Sequence, residues 1–391
     1  MATRVGMEGS FAIAEAAKMA DVDVIAAYPI TPQTHIVERL AEMVANGELD
    51  AEYIPVESEH SAMSACLGAS ATGARTFTAT AGQGLELMHE VLYVASSMRL
   101  PVVMSVADRA LSCPLSVWGD HSDAMATRDC GWIQVFAENA QEVLDLVLWA
   151  FRVGEDKDVL FPVMVHLDGF NLSHVTEPIM LPDQQDVDRF LPPNNYPLPL
   201  HPSKPVTMGA YGPPVVYTEA KKAQEMALRG SDTVILRAWK EFGDVFERHY
   251  SPVESYRTDG AECVLITMGS ISESAMTVID RMREKGKNVG LLRIRLWRPF
   301  PFTELRRAVA GIKVLAVLDR CISFGGPVGP VCSEVRSALY DLKERPAIVS
   351  FVAGLGGRDV TPKEFEYMMD RSLEVWRKGS DKEFEMIGVR E

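Results

Sequence analysis

Between residues 22 and 168, short β-branched apolar runs alternate with segments whose apolar positions recur every three or four residues. The runs at 22–28, 51–56 and 76–80 read as strands, and the stretches 34–44, 60–71 and 84–97 that follow them read as helices. Strand and helix in repeated alternation specify a parallel sheet with helical crossovers. Runs at 101–107, 132–136 and 159–167, with a helical segment at 140–152, continue it. They are apolar on both faces, as strands covered by helices are. Residues 1–20 carry an apolar stretch interrupted by Glu15 and Lys18, which reads as an amphipathic helix rather than a cleaved leader.

Ten of the 23 prolines lie between Pro178 and Pro214, where fixed φ and missing N–H groups disfavour helix interiors and central strands, so 178–214 reads as an extended connection. A helical stretch at 218–250 follows. A second alternating series then occupies 263–371, with strands at 263–268, 289–295, 314–318 and 347–352 and helices at 273–285, 334–342 and 363–371. Two α/β units are expected, 1–250 and a smaller 255–391.

Composition narrows the function. With 39 Lys plus Arg against 54 Asp plus Glu, the formal charge of −15 leaves no basic footprint for nucleic acid or anionic lipid. No run of about 18 apolar residues offers a membrane span. The six cysteines never form a C-x-x-C pair, so no zinc ribbon or iron–sulfur ligand run is encoded, and unpaired thiols suit a reducing cytoplasm.

Ligands of open α/β sheets bind beyond the carboxyl ends of the strands, which directs attention to five loops. In the first, 28–32 (YPITP), Thr31 and Pro32 fit an N-cap and first helical residue, or a pocket wall. In the second, 57–60 (ESEH), Ser58 fits an N-cap. Glu59 fits either helix-dipole complementation or a dehydrated carboxylate that exchanges a proton with a heterocycle, and His60 a local hydrogen-bond partner. The third, 80–84 (TAGQG), brings the backbone around Gly82 and Gln83 close to a ligand, but Leu87 stands where a dinucleotide fingerprint needs glycine. In the fourth, Arg109 after a strand suits capture of a small carboxylate, or a buried ion pair with Asp108. The fifth, 118–123 (WGDHSD), reads as a solvated polar loop without a metal. Glycine-rich loops at 321–330 and 354–359 suit ligand approach or packing against another subunit.

Taken in order, YPITPQT (28–34), ESEHSAMSACLGASATGARTFTATAGQGL (57–85), ADRALS (107–112), WGDHSDAMATRDCGWIQ (118–134), LDGF (167–170), LRIRLWRPFP (292–301) and FVAGLGG (351–357) resemble the α subunits of pyruvate:ferredoxin oxidoreductases. These belong to the thiamine diphosphate-dependent 2-oxoacid:ferredoxin oxidoreductases. The resemblance implies a pyrimidine-binding domain followed by a transketolase C-terminal-like domain. It gives Glu59 the hydrogen bond to the aminopyrimidine that promotes loss of the thiazolium C2 proton. Thr31 and Arg109 would contact substrate, with Thr31, Gly82 and Gln83 on the cofactor. No GDG triplet for metal-held diphosphate occurs, so the cofactor would be shared with a β subunit. Mg2+ and [4Fe-4S] clusters would sit in partner subunits, β, γ and δ completing the complex. The reaction implied is the reversible conversion of pyruvate, CoA and oxidised ferredoxin to acetyl-CoA, CO2 and reduced ferredoxin. Alternatives are 2-oxoglutarate, 2-oxoisovalerate or oxalate as substrate, a non-catalytic scaffold subunit, or a stand-alone transketolase- or acetolactate-type enzyme.

Overall fold

A computed structural model describes residues 2–379 and 382–390. Strand β1 (Thr3–Glu8) leads into α1 (Gly9–Met19), β2 (Val24–Ala27), α2 (Thr34–Ala45), β3 (Glu52–Pro55), α3 (Glu59–Ala71), β4 (Thr76–Thr80), α4 (Gly82–Leu87), α5 (His89–Ser97) and β5 (Val103–Asp108). Next come α6 (Ser122–Ala126), β6 (Ile133–Phe136), α7 (Ala140–Gly154), β7 (Val163–Asp168), β8 (Thr176–Leu181), α8 (Gln184–Phe190), α9 (Pro214–Gly230) and α10 (Asp232–Phe246). The remainder holds β9 (Val253–Tyr256), β10 (Cys263–Thr267), α11 (Ile271–Glu284), β11 (Val289–Ile294), β12 (Leu296–Arg298), α12 (Phe302–Ala308), β13 (Val314–Asp319), α13 (Pro330–Leu339), β14 (Ala347–Val352), α14 (Pro362–Lys378) and β15 (Glu385–Met386).

The first sheet has seven strands in the order β12-β6-β7-β5-β4-β2-β3, parallel except for β12. Its central strands β4, β5, β6 and β7 are buried along their whole length, as strands covered by helices on both faces are, and the threonines of β4 are buried with the rest. One face is covered by α1, α2 and α7, the other by α3 and α5. Because β3 and β4 lie on opposite sides of β2, the chain reverses its winding there. The loops leaving β2 and β4 therefore diverge and open a crevice between them.

The second sheet runs β15-β14-β13-β10-β11-β9, parallel except for β9 at one edge. Helices α11 and α14 cover one face, and α12 and α13 the other. The α12/α13 layer also takes in Ala124, Met125 and Phe136 from the first unit. Strand β12, from the second segment, pairs with β6 and closes that edge of the first sheet. The two units thus share both a core and a sheet.

Several elements differ from the sequence reading. The N-terminal helix starts only at Gly9, because residues 3–8 pair antiparallel with β8. The proline-rich stretch is not extended throughout: Pro178 is paired inside β8, in a two-stranded sheet with little ladder to interrupt, and Asp183 caps α8 through its side chain. The helical stretch 84–97 breaks at Met88, and 218–250 breaks at Ser231. Across the second break, Trp239 of α10 stacks on Trp149 of α7 with ring centroids 4.7 Å apart, binding α10 to the first unit.

Candidate active site

The crevice at β2 and β4 gathers the residues singled out from the sequence. Thr31 lies on the β2 loop, Glu59 begins α3, Gly82 and Gln83 begin α4, and Arg109 follows β5. Thr31 is not a helix cap. Helix α2 starts at Thr34, and the side chain of Gln33 is drawn inward, donating to Ala79 O at 2.7 Å and accepting from Ile30 N. This leaves Thr31 exposed at the mouth, with its carbonyl accepting from Arg109 Nη1 at 3.0 Å.

Ser58 caps α3, accepting from Ser61 N at 3.2 Å, and this fixes Glu59 in the first turn. The Glu59 side chain is only 5% exposed and lies against the β4–α4 turn. A methyl added at Gly84 would stand 2.6 Å from Glu59 Oε1 and 2.6 Å from Thr80 Oγ1. The glycine is therefore what makes room for the carboxylate. We expect Gly84→Ala to displace Glu59 and lower turnover of the assembled enzyme about tenfold or more, with a stability loss of about 1–3 kcal/mol. Steady-state rates beside a denaturation curve check this, and unchanged turnover would mean that Glu59 does not need this position.

Arg109 is buried, and among the described residues no acidic side chain pairs with its guanidinium. Its guanidinium donates to two main-chain carbonyls, Thr31 and Ser116, each at 3.0 Å. Asp108 instead bonds His166 at 2.8 Å. His60 is not held within its own loop, and faces Glu90 of α5 at 3.7 Å.

The loop 118–123 is not solvated: Asp120, His121 and Asp123 are buried. They are sequestered because the second unit closes over them. Gly356 N donates to Asp120 Oδ2 at 3.0 Å, and His121 N to Arg320 O at 2.9 Å. The glycines at 354–359 thus serve packing within this chain, since a methyl at Gly357 would lie 2.5 Å from Trp118 Cβ. In the other glycine-rich loop, a methyl at Gly329 would overlap Asp319, whose carboxylate accepts from Val331 N and Cys332 N at the start of α13.

Behind the crevice, Asp108 and Asp168 stand opposite each other where β5 and β7 end. Burial, then the neighbouring charge of Asp168, pushes Asp108 well above the usual carboxylate range. Burial also opposes ionisation of Asp168, but Arg320 and His121 outweigh it and hold that group far below its usual value. Asp168 Oδ2 accepts from Ser270 N at 2.9 Å, and Arg320 donates to Oδ1. Burial pushes His166 down to about 3, so the ring beside Asp108 is neutral. The two adjacent carboxylates are thereby shifted in opposite directions, Asp108 upward by burial and its neighbour's charge and Asp168 downward by Arg320 and His121. This network went unread in the sequence, where only the adjacency of Asp108 and Arg109 gave a signal.

The crevice also has unmet polar demand. Thr80 Oγ1, Gln83 Oε1 and Nε2, and Glu86 Oε1 are buried and find no hydrogen-bond partner among the described residues. Buried polar groups left unpaired cost about 1–3 kcal/mol each, and Thr80 Oγ1, which shares the space over Gly84 with Glu59 Oε1, suits a polar group completing the site. Among the described residues, no group of three His, Cys, Asp or Glu side chains could hold a metal ion, and no helix is long and apolar enough to cross a membrane.

Comparison with known proteins places the chain in a family. Residues 15–238 match the pyruvate flavodoxin/ferredoxin oxidoreductase thiamine diphosphate-binding family, and 261–365 match core domain II of pyruvate:ferredoxin oxidoreductase. The chain is 49% identical to pyruvate synthase subunit PorA of Methanocaldococcus jannaschii, over 98% of this chain and 97% of that one. It is 44% identical to ketoisovalerate oxidoreductase subunit VorA of Pyrococcus horikoshii, over 98% of each. Its fold is similar to that of a 2-oxoglutarate:ferredoxin oxidoreductase from Magnetococcus marinus, solved with 2-oxoglutarate, coenzyme A and succinyl-CoA bound. There the TM-score is 0.71 at 20% identity, covering 95% of this chain and 65% of that one. A thiamine-binding unit with Glu59 at its crevice, matched over nearly the full length of a PorA subunit, means that the chain belongs to the pyruvate:ferredoxin oxidoreductase family, as a subunit of the PorA type.

Proposed function

We propose that the chain is the α subunit of a heteromeric enzyme that oxidatively decarboxylates pyruvate with CoA, reversibly, and passes the electrons to ferredoxin in the cytoplasm. The observation that carries this is Glu59, a buried carboxylate fitted against Gly84 beside polar atoms awaiting a partner. The spans of the two family matches support a pyrimidine-binding unit at 1–250 and a transketolase C-terminal-like unit at 255–391.

Thiamine diphosphate, when bound, supplies the nucleophilic carbon and the electron sink that decarboxylation requires. Glu59 would hold a proton at the pyrimidine ring nitrogen, and Gly82 and Gln83 would be among the residues that hold the cofactor. Arg109 has five N–H donors and commits two to Thr31 and Ser116, which fixes its plane and leaves the others for the carboxylate of the oxoacid. Thr31, at the mouth, meets the keto oxygen. Substrate held between two fixed groups reaches attack geometry at little further entropic cost. The chain contains no GDG triplet and no C-x-x-C pair, so Mg2+ and the [4Fe-4S] clusters are assigned to β, γ and δ partners.

The experiment is native purification with identification of co-purifying chains, followed by a panel of 2-oxoacids with CoA and ferredoxin. Pyruvate should give the highest kcat/KM, and the chain alone should show no oxoacid-dependent dye reduction. Turnover by the single chain would overturn the shared site. A preference for 2-oxoisovalerate would move the chain toward the VorA-type relative.

A further inference from the structure

One buried carboxylate ties together two of the residues assigned above. Asp123, fully buried in the first turn of α6, accepts with a single oxygen, Oδ2, from Gly82 N and from Arg109 N, each at 2.9 Å. Its other oxygen accepts from Ala124 N at 2.9 Å. The two main-chain groups belong to different strand ends, β4 and β5, so the shared acceptor sets the spacing between their loops. Contact reinforces this spacing: a methyl at Gly82 would lie 3.1–3.2 Å from Arg109 Cβ, Cγ and Cδ.

The carboxylate is itself held from outside the crevice. Asp120, three residues earlier, accepts from Ser122 N at 2.9 Å with one oxygen and from Gly356 N at 3.0 Å with the other. His121 N donates to Arg320 O, and Ala124 and Met125 pack into the core of the second unit. The segment bearing Asp123 is thereby fastened to the second unit at one end and to the crevice at the other.

We propose that Asp123 is a positioning residue that holds the Arg109 main chain, and through it the guanidinium, in register with the Gly82 turn. The oxoacid carboxylate is then presented at a fixed place relative to the cofactor ring. This rests on the reading that Arg109 binds that carboxylate. Asparagine can keep the bonds from Gly82 N and Arg109 N through its amide oxygen and gives up only that from Ala124 N, whereas alanine and leucine leave all three N–H groups without this acceptor.

The test uses the assembled complex carrying Asp123→Asn, Asp123→Ala or Asp123→Leu, the last keeping the volume filled, with Arg109→Met alongside. In the alanine or leucine variant, KM for pyruvate should rise about tenfold or more while kcat stays within about threefold, and the asparagine variant should restore KM. A pyruvate KM within about twofold of the parent in alanine and leucine, while Arg109→Met raises it, overturns the positioning role and leaves the Arg109 assignment standing. An unchanged KM in Arg109→Met overturns that assignment and the proposal with it. Should the alanine and leucine variants fail to assemble, Asp123→Glu, which keeps a carboxylate but moves it by one methylene, takes their place: a raised pyruvate KM supports the proposal and an unchanged KM overturns it.

Discussion

With Glu59→Gln in the assembled complex, exchange of the cofactor C2 proton should fall by about two to four orders of magnitude, with the subunits still associated. Glutamine has nearly the shape of glutamate, so the contact with Gly84 and Thr80 survives and the crevice keeps its form. What is lost is a side chain able to take up and return a proton at a ring nitrogen. The measurement is deuterium exchange into the cofactor, quenched in acid and read by NMR, beside a sizing profile of the complex. Exchange at the parent rate would remove Glu59 from the chemistry.

The largest expected effect on stability lies elsewhere. Arg320→Met strips the guanidinium from Asp168 and leaves a buried carboxylate with Ser270 and His121 alone. Breaking a buried pair from one side costs about 3–5 kcal/mol, because the remaining charge has neither water nor a counter-ion. Arg320 also donates to Gly119 O at 3.0 Å, so the loop that closes onto the second unit loosens as well. Denaturant unfolding should show the loss, and adding Asp168→Asn should recover part of it, as a double-mutant cycle requires. A loss below about 1 kcal/mol would mean that the pair is dispensable.

The sequence made the repetitive part of the fold legible and much less of the joins. Strands β4 and β14 begin and end where the runs at 76–80 and 347–352 do, because short runs rich in β-branched and apolar residues become buried parallel strands. Strand β12 has three residues, too few for any period, and its partner β6 lies about 160 residues earlier in the chain. Strand β1 was hidden for a related reason: its partner β8 carries a proline and comes only after strands β2 to β7 and their helices.

At the crevice, the residues of Glu59, Arg109 and the glycine turn sit in contiguous motifs and could be named from order alone. Asp123, Asp168 and Arg320 could not, since each looks like an ordinary surface charge until its partner is known. Asp168 meets Arg320 across 152 positions, and Asp123 meets Gly82 across 41. Charge can be buried only where such partners meet, so the polarity that made 118–123 read as solvated is the polarity the interior needs there.

The edge strand β12 bears on how this chain can be re-engineered. A split at 250–255, the obvious place to express the two units as separate polypeptides, would strip β6 of its outer neighbour and leave a bare sheet edge on one fragment. The other fragment would carry Leu296–Arg298 with nothing to pair with. Circular permutants and fusions that keep Leu296–Arg298 covalently within reach of β6 avoid that hazard, and two-piece versions invite aggregation through the open edge.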